Sequence, residues 1–173
     1  MPAGPETRDA KPGGKRPART PDRRHQARLA AVQALYQVEL GKASPQSVVL
    51  EFLDHRLDEE IDGLRIGKID RGLFGELVTG VSKERKRLDG MIAAVLDEEW
   101  EIERLETLLH IILTCGVYEL IERPGMPARA VINEYMDLAH AFFAGKEPAM
   151  VNGVLDRLAQ SLREDELSNR GGA

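Results

Sequence analysis

The sequence predicts an all-α protein, and three observations carry that prediction. Apolar residues recur at three- and four-residue spacing through most of the chain, the period of an amphipathic helix. No run alternates apolar and polar residues over a useful strand length. Aromatic residues are only 5% of the composition, against 42% hydrophobic and 31% charged, which speaks against an aromatic-rich β-sandwich. A chain of 173 residues is long enough for one domain with a real core.

Residues 1–21, MPAGPETRDAKPGGKRPARTP, hold five prolines and almost nothing to bury, so a disordered basic tail is expected there. Pro21-Asp22 reads as a stop followed by an N-cap. It opens a first helix from Arg23 to about Leu40, with Leu29, Val32, Tyr36 and Leu40 on one stripe and Gly41 as its end. Ser44-Pro45 opens a second, a cap followed by proline at the first helical position, with Val48, Val49, Phe52 and Leu53 inward. DEEIDGLRIG (58–67) reads as a polar, glycine-broken connection.

Asp70 begins a third helix with Leu73, Phe74, Leu77, Val78 and Val81 inward. After KERKRLDG (83–90) a short fourth is expected through Met91, Ile92, Val95 and Leu96. The fifth, from Trp100 to Pro124-Gly125, reads as the longest apolar-rich helix, and a helix apolar nearly all round is a central one. Pro127 starts a sixth, with Val131, Ile132, Tyr135, Leu138 and Phe142. Gly145 and Pro148 precede the seventh, which contains MVNGVLDRLAQ (150–160). REDELSNRGGA (163–173) reads as a fraying tail. The helical domain is placed at 22–166 and a disordered tail at 167–173.

Two positions read as structural. Asn152-Gly153 is a hairpin dipeptide inside a helical pattern, and is expected to form a packing notch against the central helix, with the amide reaching the approaching chain. Glu119 is a carboxylate in a very apolar run, so it needs partners. The free N–H groups at the start of the next helix, around Ala128 to Ala130, are the expected donors.

The net charge of −5 is unevenly spread. Residues 1–28 carry eight basic and three acidic side chains, a local +5, which leaves −10 for the remainder. An acidic body with a basic arm flags contact with a polyanion. Cys115 is the only cysteine, so no internal disulfide or thiolate metal cluster is expected, and its apolar run makes it a buried, inert thiol. The four histidines are scattered over different helices, none four residues from another. No catalytic grouping, metal site or cofactor motif emerges. No stretch is long and apolar enough for a membrane span or a signal peptide, so a cytoplasmic protein is expected. What remains is the start of the first helix: Arg23, Arg24, His25, Gln26 and Arg28. Arg24 and Arg28 share a face, and guanidinium groups with helix-start N–H groups favour phosphate.

Taken together, Arg28 with AVQALYQVEL (31–40), GVYEL (116–120), AVINEYMDLA (130–139) and VNGVLDRLA (151–159) resemble the NusB family of antitermination factors, over roughly residues 23–160. The resemblance implies a seven-helix fold of two small packed bundles, here about 22–90 and 91–166. It implies binding of single-stranded boxA RNA in rRNA leader transcripts, together with the small-subunit ribosomal protein NusE. The pair would join RNA polymerase with NusA and NusG to suppress premature termination. By the same resemblance Arg24, His25, Gln26 and Arg28 form the main RNA contact, and Lys146, in the loop before the last helix, strengthens it. The acidic body suits a basic partner protein, through the third to fifth helices. A homodimer is compatible with the sequence. A related domain is fused to some rRNA cytosine methyltransferases; this chain, ending where that enzyme would begin, reads as the stand-alone factor. Tyr36 is a candidate base platform but is expected to pack inside. Rival readings are a protein–protein adaptor without RNA and an enzyme with a dispersed site.

Overall fold

A computed structural model of the chain describes residues 22–56, 60–61, 64–65 and 69–169. The expected basic tail over 1–21 lies outside them, as do residues 170–173 of the expected C-terminal tail. Among the described residues seven α-helices carry the fold: α1 (Arg23–Gly41), α2 (Pro45–Glu51), α3 (Arg71–Val95), α4 (Thr107–Glu122), α5 (Ala128–Phe142), α6 (Glu147–Leu162) and α7 (Glu164–Ser168). A π-helical turn, Phe52–Arg56, continues α2, and a 3₁₀ turn, Ile102–Arg104, precedes α4.

The helix starts follow local chemistry. The Asp22 carboxylate accepts from the Arg24 N–H at 3.1 Å, Ser44 Oγ from Ser47 N–H at 3.1 Å and Asp70 from Leu73 N–H at 3.0 Å. Pro45 occupies the first turn of α2. The end of α1 falls one residue later than expected: Gly41 remains helical and Lys42 takes the left-handed position, at φ 53°.

Three expectations about the elements are corrected. The third and fourth helices are one, because Leu88 and Ile92 extend the buried stripe of α3 and Arg85 pairs with Asp89 four residues on. That burial outweighs the roughly 1 kcal/mol cost of Gly90, and it makes α3, at 25 residues, longer than the 16-residue α4. The proposed bundle boundary at residue 90 therefore falls inside α3. The C-terminal segment does not fray at 163: Arg163 is buried and α7 follows it. Finally, the polar connection contains a two-residue antiparallel ladder, Glu60–Ile61 with Leu64–Arg65, too short for a strand pattern to reveal.

α4 is the centre. Every residue from Ile111 to Leu120 is buried, and α4 packs against α1, α3, α5 and α6. The buried apolar side chains of α1 to α6 make one cluster around it. Close approach is allowed by Gly116, where an added Cβ would lie 2.8 Å from Leu155 Cδ1 of α6, and by Gly80, where it would overlap the Tyr118 ring. Gly153 is not such a notch; an added Cβ there meets nothing within 4 Å. The residue that yields space between α4 and α6 sits on α4.

Candidate nucleic-acid interface

The cationic start of α1 is divided in two by depth. Arg23 and Arg24 are exposed, and neither guanidinium has an ion pair among the described residues. Arg28, one turn further, is 1% exposed. There α1 crosses α4, and the guanidinium faces Glu119. Arg28 Nε donates to Glu119 Oε2 at 2.7 Å and Nη2 to Oε1 at 2.9 Å, a bidentate pair with a fully buried carboxylate. Nη2 also reaches Met126 Sδ at 3.1 Å, and Nη1 lies 3.5 Å from Glu134 Oε2.

Arg28 is therefore corrected from RNA contact to structural cation, since releasing it would leave a buried charge alone. Glu119 is buried and has the partners a carboxylate there needs, but its donors are not the expected ones. Tyr135 Oη donates to Glu119 Oε2, and Arg123 Nε stands 4.0 Å from Oε1. The N–H at the start of α5 goes elsewhere: Ala128 N donates to Glu166 at 2.8 Å.

This buried network moves its titrations in one direction. Burial alone would lower the affinity of Arg28 for its proton, but the hydrogen bond and charge of Glu119 outweigh it and hold the guanidinium ionised. Burial first, then the Glu119 charge, pushes the Tyr135 phenol and the Cys115 thiol well above their ordinary ranges. The thiol is buried, as its apolar run predicts.

His25 is half-buried, with Nδ1 2.9 Å from Glu134 Oε2, so α5 holds the imidazole. Gln26 is 9% exposed and its Oε1 has no partner among the described residues. It faces inward, which places it with Arg28 rather than with Arg24. Lys146 is exposed just before α6, at the end of α5 opposite the α4–α5 turn. The rise of a 15-residue helix puts about 22 Å between those ends. Tyr36, expected inside, is 40% exposed, with Leu40 a turn away at 61%. Asn152 is half-buried on α6.

Sequence reasoning missed the surroundings of Arg24. It lines a cleft of about 540 Å³ with Glu76, Glu122, Arg123, Gly125, Met126 and Pro127. The floor of that cleft, the α4–α5 turn, is clamped by Arg163. Its guanidinium donates to the carbonyls of Leu120 (2.7 Å), Met126 (2.9 Å) and Arg123 (3.0 Å), and to Glu166 (2.7 Å). A lone arginine directly after an amphipathic helix was the available signal. No group of three or more His, Cys, Asp or Glu side chains that could hold a metal occurs among the described residues.

The fold and site define a helical protein built on one buried core helix, with exposed arginines opening its first helix and a charged cleft beside Arg24. The comparisons give that architecture a family. The NusB family matches residues 25–160. The chain is 44% identical, over 87% of its length and 94% of theirs, to the transcription antitermination protein NusB of Rhizobium etli (strain CIAT 652). It is 39% identical, over 87% and 94%, to that of Rhizobium meliloti (strain 1021). Among solved structures, T. maritima NusB superposes with a TM-score of 0.67 at 26% identity, over 83% of this chain and 93% of that one. A chain from a crystal structure of a plectonemic RNA supercoil superposes with a TM-score of 0.62 at 25% identity, over 79% and 94%. The chain belongs to the NusB family, whose named members here are transcription antitermination proteins. No described helix is long and apolar enough to cross a membrane.

Proposed function

We propose that the protein binds single-stranded boxA-type leader RNA of rRNA operons together with NusE, and joins RNA polymerase with NusA and NusG to keep rRNA transcription processive in the cytoplasm. The observation that carries this reading is the state of Arg23 and Arg24: exposed, without carboxylate partners among the described residues, at the first turn of a capped helix. Free guanidinium groups there neutralise phosphates and release counterions. His25 lies beside them, and Lys146 extends the positive path about 22 Å along α5. Exposed Tyr36 offers a ring face for an unstacked base or a partner side chain. One structural relative comes from a crystal structure of an RNA supercoil, which supports the same reading.

The partner half of the proposal rests on charge. Asp97, Glu98, Glu99, Glu101, Glu103 and Glu106 are all exposed on the connection between α3 and α4, far along α4 from Arg28. Such a surface steers a basic ribosomal protein. The test is binding of boxA RNA and of a scrambled RNA, with and without NusE, to the full chain and to residues 22–173. NusE is expected to raise boxA affinity selectively, and removal of residues 1–21 to flatten the salt dependence. Equal binding of both RNAs with NusE present would favour the adaptor reading.

A further inference from the structure

The cleft beside Arg24 has a charge pattern that a simple phosphate site does not need. Arg123 is held by Glu76 at 3.0 Å, and the Tyr118 hydroxyl also turns to Glu76, at 3.5 Å. That leaves Arg24 and the exposed Glu122 as the charged groups lining it without an ion pair among the described residues. A guanidinium only donates and an ionised carboxylate only accepts. A ligand that meets both presents an anion to Arg24 and hydrogen-bond donors to Glu122, and along an RNA strand those donors are the N–H groups of a base.

Among nucleotides the base edge decides. Guanine presents two adjacent donors, N1–H and the 2-amino group, which a carboxylate accepts in parallel. Uracil flanks its single N–H with carbonyls, whose lone pairs a carboxylate repels, and adenine and cytosine each offer one amino group beside an acceptor, so only guanine gives the carboxylate two parallel bonds. The same carboxylate weakens phosphate binding in general, so it is a cost unless it selects. Met126 and Pro127 supply apolar contact for a base face. The turn that carries them is fixed in advance by the three hydrogen bonds of Arg163 to its carbonyls and by the contact of Arg28 with Met126 Sδ.

We infer that this cleft is a guanine-selecting subsite on the single-strand path, with Arg24 on the phosphate and Glu122 accepting from the base. The inference rests on the RNA reading and adds a base preference to it. The probes are a hexauridylate RNA with one central guanosine and the same RNA with adenosine or uridine there. They are titrated by fluorescence anisotropy into the full chain and its Glu122→Gln and Arg24→Ala variants, with amide spectra recorded at Gly125. The guanosine probe is expected to bind about fivefold tighter, the low end for a bidentate base contact, and to shift the Gly125 amide. Glu122→Gln should erase that preference, and Arg24→Ala should weaken all probes alike. Equal affinity of all three probes, or a guanosine preference that survives Glu122→Gln, overturns the subsite. If Arg24→Ala still weakens every probe, the RNA reading stands without it; if Arg24→Ala changes nothing, that reading fails as well.

Discussion

Arg28 and Glu119, 91 positions apart, form a bidentate ion pair with 1% and 0% of their side chains exposed. The pair joins α1 to the central helix, and Tyr135 and Glu134 of α5 complete it. Breaking it by removing one partner leaves a charge in an apolar interior. Arg28→Ala and Glu119→Ala are each expected to cost about 3–5 kcal/mol in urea denaturation. The double variant should cost clearly less than their sum. Arg24→Ala, by contrast, should leave stability within about 0.5 kcal/mol. An additive cycle would contradict the pairing.

The sequence announced each half of this pair but not the meeting. Arg28 is a lone charge among Ala27, Leu29, Ala30 and Ala31, and Glu119 the lone charge in the buried run from Ile111 to Leu120. Glu119 demanded a partner, whereas Arg28 read as an RNA contact; the structure gives each to the other. Helix periodicity placed Arg24 and Arg28 on one face without saying that one turn separates solvent from core. Caps were legible because they are local: Asp22, Ser44 and Asp70 all act as read. The unbroken α3 was not, because Asp89-Gly90 looks like a stop until Leu88 and Ile92 are seen buried against neighbours distant in sequence. The Arg163 clamp was hidden for the same reason: its acceptors are backbone carbonyls on another helix.

The phenol of Tyr135 and the thiol of Cys115 are expected to weaken the fold at alkaline pH. Both hold their protons more tightly folded than unfolded, through burial first and the Glu119 charge second. Their contribution is therefore complete below the ordinary values of 9.0 for the thiol and 10.0 for the phenol, and is lost as pH rises through the higher folded values. Urea midpoints should fall from about pH 9 upward. Cys115→Ala should move the onset toward pH 10, and Tyr135→Phe should cost about 1.5–3 kcal/mol at neutral pH by removing the bond to Glu119. A midpoint unchanged between pH 8 and 11 would contradict this.

Glycines separate the close contacts from the harmless ones. Gly116→Ala presses on Leu155 and Gly80→Ala on the Tyr118 ring, so each should lose about 1–3 kcal/mol. Gly153→Ala meets open space inside a helix and should gain about 0.5–1 kcal/mol. Thermal unfolding of the three variants distinguishes them by sign.

The C-terminal clamp should be felt at a distance. Arg163→Ala removes four hydrogen bonds from a 7% exposed guanidinium. A destabilisation of about 3 kcal/mol is expected, with faster amide exchange at residues 123–127. Exchange unchanged in that turn would remove the clamp's role in shaping the cleft.

The central claim is that the exposed arginines at the start of α1 hold RNA phosphates while the buried one holds the fold. Binding of single-stranded RNA across a salt series, for the full chain and for the Arg23→Ala, Arg24→Ala double variant, tests it most directly. Each phosphate that an arginine neutralises adds about 0.7 to the salt slope, so the double variant should lower it by about 1.4, with the urea midpoint unchanged. Affinity and slope equal to those of the unaltered chain would contradict the claim.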